Sequence, residues 1–284
     1  MAGKTDFDHC TDGDAAARRL VSEAYERARI GIFDLDTILR EKSVDRTKAE
    51  SMLRDGTSWS NVLYKWDTAG QTYAGGTFED ERVAVDPTSG RRYPFAPATA
   101  MFIADFTGPH RELSPRNLAA AQIERAAAMG YGVRAAFEYE FSVFEETPQS
   151  LRDKDYRQLR HASIGNHPYS AITTAIDDAF IAGLADAAGT AGIGIDSFHT
   201  ELGPGSYEMP LAVAEGLRAA DDAALFKTIA RTYAQKHDRI ITFMAKWSHD
   251  WPGQSGHLHL SLYDLATGRP AFAGDTAGVP GPAL

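Results

Sequence analysis

Three segments of this chain alternate between apolar and polar side chains, and a period of two constrains the fold more than any other feature. In a strand, successive side chains point to opposite faces. In Phe137-Glu138-Tyr139-Glu140-Phe141-Ser142-Val143, the three aromatic residues and Val143 therefore share a core face, and Glu138 and Glu140 share the other. His257-Leu258-His259-Leu260-Ser261-Leu262 repeats the pattern, with His257, His259 and Ser261 together and the leucines expected to be buried opposite them. Between these lies Glu201-Leu-Gly-Pro-Gly-Ser-Tyr-Glu208, two strands about a Gly-Pro-Gly turn, so Glu201 and Glu208 can face each other across a hairpin.

Carboxylates neighbouring on one face of a sheet repel unless something neutralises them. Taken singly, Glu138/Glu140 and Glu201/Glu208 are equally an ordinary solvated face, and the two histidines equally half-exposed strand residues. Taken together, four carboxylates and two histidines on successive strands predict a cleft for two hard divalent cations. The oxygen-rich donor set favours Mg²⁺ or Mn²⁺ over zinc. Such centres serve phosphoryl transfer. The chain has no GxxxxGK[ST] loop, so a nucleotide has to be held in another way. The Gly253-Gln-Ser-Gly256 loop ahead of His257 lets backbone approach a ligand closely.

The rest of the chain bounds the alternatives. Its 284 residues suggest two domains or one large one. With 29 basic and 39 acidic residues, the net charge of −10 argues against nucleic acid and anionic membrane surfaces as partners. One cysteine, Cys10, excludes an internal disulfide, and it stands in a polar leader that reads as mobile. No secretory signal or spanning segment is visible, which makes the cytoplasm the default compartment. Periodicity predicts a helix from Asp14 to about Ala28, strands over Ile30–Leu35 and Thr37–Val44, and a helix over Thr47–Arg54. Residues 56–98 read as short strands and loops, and Ala100–Phe106 as a buried strand. Ser114 caps a helix with Pro115 first and Gly130 after its end. Then come strands at Arg134–Phe144, Ile193–Leu202, Ser206–Leu211, Ile240–Trp247 and His257–Tyr263. Helices are expected at Ala171–Ala188 and Val213–Lys236. Gly268–Leu284 shows no periodicity.

Four ordered segments resemble the glutamine synthetase family: Glu138-Tyr-Glu-Phe, Glu201 to Glu208, Thr242-Phe-Met-Ala-Lys246 and Gly253-Gln-Ser-Gly-His-Leu-His-Leu-Ser-Leu. Phe33-Asp-Leu-Asp-Thr-Ile-Leu-Arg, Asp55-Gly-Thr-Ser58 and Ser114-Pro-Arg-Asn-Leu118 agree more loosely. The resemblance implies an α+β fold: a leader and helix over 1–27, a β-grasp domain over 28–108, and a catalytic domain over 109–284 with an antiparallel sheet flanked by helices. It implies an ATP-dependent ligase joining ammonia or an organic amine to the γ-carboxylate of glutamate through an acyl phosphate. Glu140, Glu201 and Glu208 are then expected to hold one Mg²⁺ (or Mn²⁺), and Glu138 and His257 the other. His259, Ser261 and Asp196 lie along the ATP, and Gly253, His257 and Tyr169 near the substrates. Asp55 and Glu201 belong to the catalytic set, Asp55 reaching into a neighbouring subunit's site to bind or deprotonate the amine. The family forms rings, so a homo-oligomer is expected.

Ser206 stands where the family often has Gln, Pro252 where ammonia-using members commonly have Asn, and Trp247 where Pro is usual. These departures favour an organic amine. Family members also continue further, supplying another metal-binding Glu, arginines for substrates and a flap. The resemblance therefore implies a truncated chain, whose alternative role is that of a silent subunit binding metal or nucleotide, or assembling with a complete paralogue. A metal-dependent hydrolase is a third reading.

Overall fold

The computed structural model of the protein describes residues 3–73, 75, 77–165 and 167–273. Its described residues form two compact units: residues 3, 134–215 and 225–261 make the first, and residues 4–133, 216–224 and 262–273 the second.

The second unit begins with α1 (Gly13–Ser22), capped by the Asp12 carboxylate, which accepts from Ala15 N at 2.7 Å. The helix expected to reach Ala28 stops six residues earlier. Ala24 takes φ +57°, and Ala28 lies inside β1 (Arg27–Phe33), where pairing with two strands overrides the helical pattern. Then follow β2 (Leu39–Asp45), α2 (Arg46–Asp55), β3 (Thr57–Ser60), β4 (Asp80–Val85), β5 (Arg91–Arg92), β6 (Thr99–Phe106) and α3 (Pro115–Ala128). The sheet order is β2-β1-β6-β4-β3, with β5 on β6; β1 and β6 are parallel and the other pairs antiparallel. Ser114 caps α3 with Pro115 in its first turn, as expected. The core gathers Leu20, Ile30, Ile32, Met52, Trp59, Phe102 and Phe106. The leader is packed rather than mobile. Phe7 is fully buried, its ring 4.9 Å from Phe102 and 5.6 Å from Tyr25. Cys10 is buried, and burial pushes its thiol pKa up, which disfavours the thiolate a nucleophile needs.

The first unit is built on β7 (Tyr131–Phe144, from residue 134 on), followed by α4 (Pro148–Asp153), α5 (Ala171–Thr190), β8 (His199–Thr200), β9 (Ser206–Pro210), β10 (Ala214–Glu215), α6 (Leu217–Lys236, from residue 225 on), β11 (Ile240–Thr242) and β12 (Gly256–Asp264, up to residue 261). Its sheet runs β10-β7-β9-β8, and β11 and β12 also pair with β7. Two expected strands shrink. Of Ile193–Leu202 only His199–Thr200 joins the ladder, apart from one bridge between Ile195 and Leu211; Ile193 is buried by packing instead. Of Ile240–Trp247 only the first three residues pair, and the rest forms a loop. Phe141, Val143, Tyr207, Met209, Leu225, Phe226 and Ile229 form the buried face. The leucines of β12 do not match expectation: Leu258 and Leu260 are 56% and 52% exposed. Alternation sorts side chains between faces without fixing what covers each face. Of the aperiodic stretch Gly268–Leu284, residues 274–284 lie outside the described residues. Among the described residues, no helix is long and apolar enough to cross a membrane.

Candidate functional site

Strand register assembles the polar face of the first unit. β7 and β9 pair antiparallel with Glu140 opposite Glu208, and β9 pairs with β8 so that Glu208 is opposite His199. Directly opposed residues project to the same face, so Glu140, Glu208 and His199 form a row across three strands. Tyr207, the neighbour of Glu208, points the other way and donates its hydroxyl proton to the buried Asp177 carboxylate on α5. A tight turn precedes this row. Gly205 has φ +69°, and a Cβ there would lie 2.5 Å from the Val143 carbonyl, so glycine is required.

Two groups of ligand atoms close to within 4.8 Å: Glu138, Glu208 and His257, and His199, Glu201 and Glu208. Glu208 belongs to both. Glu138 accepts from both histidines of β12, with His257 Nδ1 3.0 Å from its Oε2 and His259 Nε2 3.0 Å from its Oε1. His199 Nε2 lies 3.9 Å from Glu208 Oε1. Glu140 faces the same side, but its oxygens are taken by Ser255: the backbone N–H donates to Oε2 at 3.0 Å and the hydroxyl to Oε1 at 2.6 Å.

The electrostatics follow from this crowding. Burial raises the Glu208 pKa; His199 offsets part of that, and the charges of Glu138, Glu140 and Glu201 raise it further. Burial also opposes ionisation of Glu138, but hydrogen bonds and charge from His259 and His257 outweigh it, and its pKa falls below the ordinary carboxylate value. Four carboxylates with so few cationic neighbours suit a divalent ion, which would supply the missing charge.

Tyr169 is exposed at φ +57°, its ring centroid 4.5 Å from that of His199, and its N–H donates to Thr200 O. Gly253 is exposed, and a Cβ there would meet the Ala245 carbonyl at 2.9 Å, so the two backbones approach as only glycine permits. Ser261 is an exposed residue of β12. Asp196 is exposed, its N–H donating to Pro210 O at 2.9 Å. Asp55 is the exposed last residue of α2, in the second unit, and is not among the residues gathered here. Of the three departures, Ser206 is buried with its Oγ 3.3 Å from Ser142 Oγ, and Pro252 is exposed. Trp247 packs its ring edge-on against Phe144 at 4.9 Å and lies 5.3 Å from His161.

Sequence reasoning missed His199 and Ser255. The first had a signal, because His199-Thr-Glu201 sets a histidine two residues from a chosen carboxylate. Ser255 had none, because its contact depends on how a glycine-rich loop folds.

Residues 112–279 match the model of the glutamine synthetase catalytic domain. The chain belongs to the glutamine synthetase family. It is 34% identical over 259 residues to the glutamate–isopropylamine ligase of a Pseudomonas species, covering 86% of this chain and 56% of that protein. It is 33% identical over 234 residues to the γ-glutamylethanolamide synthetase GlnA4 of Streptomyces coelicolor, covering 79% of this chain and 50% of that protein. A solved structure of GmaS in complex with ADP superposes with a TM-score of 0.78 at 24% identity, over 92% of this chain and 58% of that one. The glutamine-synthetase-type mixed α/β fold of the catalytic domain is thereby established. The chain spans about half the length of the curated relatives it matches.

Proposed function

We propose that this chain carries part of the machinery of an ATP-dependent ligase that joins an amine to the γ-carboxylate of glutamate through γ-glutamyl phosphate. The observation that carries the reading is the Glu138–Glu208–His257 and His199–Glu201–Glu208 clustering on one sheet face of a glutamine synthetase fold. Mg²⁺ or Mn²⁺, when bound, offsets charge on the transferred phosphoryl group. Glu140, Glu201 and Glu208 would hold one ion, and Glu138 and His257 the other, with Glu208 close enough to Glu138 and His257, and His199 close enough to Glu201 and Glu208, to join them. His259, Ser261 and Asp196 would line the nucleotide, and Gly253 and Tyr169 the glutamate and amine. Water has to be kept from the acyl phosphate, or it hydrolyses before the amine attacks.

An organic amine fits better than ammonia. Two relatives bear the names of amine ligases, and Trp247 and Pro252 alter the 243–253 loop while Ser206 departs in the buried start of β9. In this reading residues 28–108 form a β-grasp domain and residues 109–284 the catalytic part. The assembly is a cytoplasmic homo-oligomer in which Asp55 serves a neighbouring subunit's site. The test is phosphate release from ATP with Mg²⁺ or Mn²⁺, across ammonia, hydroxylamine, alkylamines and polyamines. Release that requires both glutamate and one amine is expected. If folded protein that binds Mn²⁺ releases none, the alternative holds: a silent subunit that binds metal or nucleotide, or assembles with a complete paralogue.

A further inference from the structure

The segment from Gln254 to His259 lies along the polar face of β7 and engages it rung by rung. His257 and His259 meet Glu138, Ser255 meets Glu140, and Gln254 meets Ser142, each β7 residue two positions on from the last. The Gln254 side chain is buried, 9% exposed, and fully used. Its Oε1 accepts from Ser142 Oγ at 2.8 Å, and its Nε2 donates to the carbonyls of Thr242 at 2.9 Å and Met244 at 2.8 Å. Its backbone N–H donates to Ala245 O at 2.8 Å. One amide thus ties both ends of the 243–253 loop to β7. The next residue grips Glu140 from both sides, since Glu140 N–H also donates to Ser255 O at 3.1 Å. Ser206 lies beside the same Ser142 hydroxyl.

We propose that Gln254 and Ser255 form a clasp that fixes the Glu140 carboxylate for the divalent cation and links the substrate-side loop to the metal cleft. Both are positioning residues, acting through Glu140, and the inference rests on the metal reading above. A carboxylate oxygen has lone pairs for a hydrogen bond and an ion together, and hydrogen-bond partners of metal ligands typically change affinity by about 10–100-fold. The clasp also predicts that a cation at Glu140 quiets the 243–253 loop.

The experiment is Mn²⁺ titration of the full chain, followed by electron paramagnetic resonance, with thermal unfolding as the folding control. Ser255→Ala, at an exposed position, is expected to fold normally and weaken Mn²⁺ binding about tenfold, whereas Ser255→Thr keeps the hydroxyl and the affinity. Gln254→Ala should weaken binding as much and speed amide hydrogen exchange over 243–253. Glu208→Gln tests the metal reading itself. If Glu208→Gln abolishes binding while Ser255→Ala leaves affinity and spectrum unchanged, the clasp is wrong and the metal site stands. If the parent chain binds no Mn²⁺, or Glu208→Gln binds as well as the parent, both are overturned.

Discussion

Single residues set the charge balance, and Glu208 shows it most plainly. Its pKa is raised by burial and by three neighbouring carboxylates, so at neutral pH its ionised form costs stability. The cost is present above the folded-state pKa and absent below the ordinary value of 4.5. Glu208→Gln should therefore leave the metal-free protein as stable as the parent or more so at pH 7, with the gain vanishing below about pH 4.5 in thermal melts across pH. Glu146 behaves oppositely. It is buried, and although burial opposes its charge, Lys154, Ser150 and the Arg160 N–H hold its pKa down to about 2. The stabilisation is fully present above the unfolded value of 4.5 and is lost as pH falls toward 2. Glu146→Gln is expected to cost about 1–3 kcal/mol at pH 7, read by denaturant unfolding, and much less at the acid end of that window.

Elements show where pattern ends and packing begins. The alternation in Phe137–Val143 placed Phe141 and Val143 in the core and the carboxylates on the other face, because β7 is paired along both edges, whereas Phe137 and Tyr139, expected in the core, are only half-buried. The same alternation in β12 sorted its residues equally well and yet misjudged Leu258 and Leu260, whose face is half-exposed among the described residues. Leu258→Thr and Leu260→Thr should each stay within about 1 kcal/mol of the parent, whereas Phe141→Ala should cost about 3–5 kcal/mol, as chemical denaturation would show. The site was legible where strand period and register act, as for Glu138, Glu140 and Glu208. It was not legible at Ser255, whose partner depends on loop geometry, nor at Ile193–Leu202, whose apolar residues are buried without a ladder. The end of α1 was misread because β1 recruits Ala28 through strands distant in sequence.

At the scale of the whole chain, the two units differ in how their crowded carboxylates are neutralised. In the second, Arg116 on α3 faces three carboxylates, pairing with Asp105 at 2.7 Å, Asp221 at 2.7 Å and Asp86. Removing that guanidinium strands buried negative charge, so Arg116→Met is expected to cost about 3–5 kcal/mol, or to prevent folding, in an unfolding titration. Asp86 reports on the same network. Burial works against its charge, but Arg116 prevails and lowers its pKa below the ordinary 3.8. In the first unit, among the described residues, the Glu138, Glu140, Glu201 and Glu208 crowding faces histidines and no arginine or lysine ion pair, which is the contrast the proposed metal reading would explain.

Glu208 stands in both ligand groups at once. A carboxylate shared in this way makes filling one position a perturbation of the other. In the two-cation reading proposed above, the first cation to arrive would remove part of the repulsion that raises the Glu208 pKa, and would also spend part of the negative potential that draws in a second. That reading therefore predicts thermodynamically linked occupancies, seen as a stepwise isotherm with unequal constants in place of two identical, independent sites.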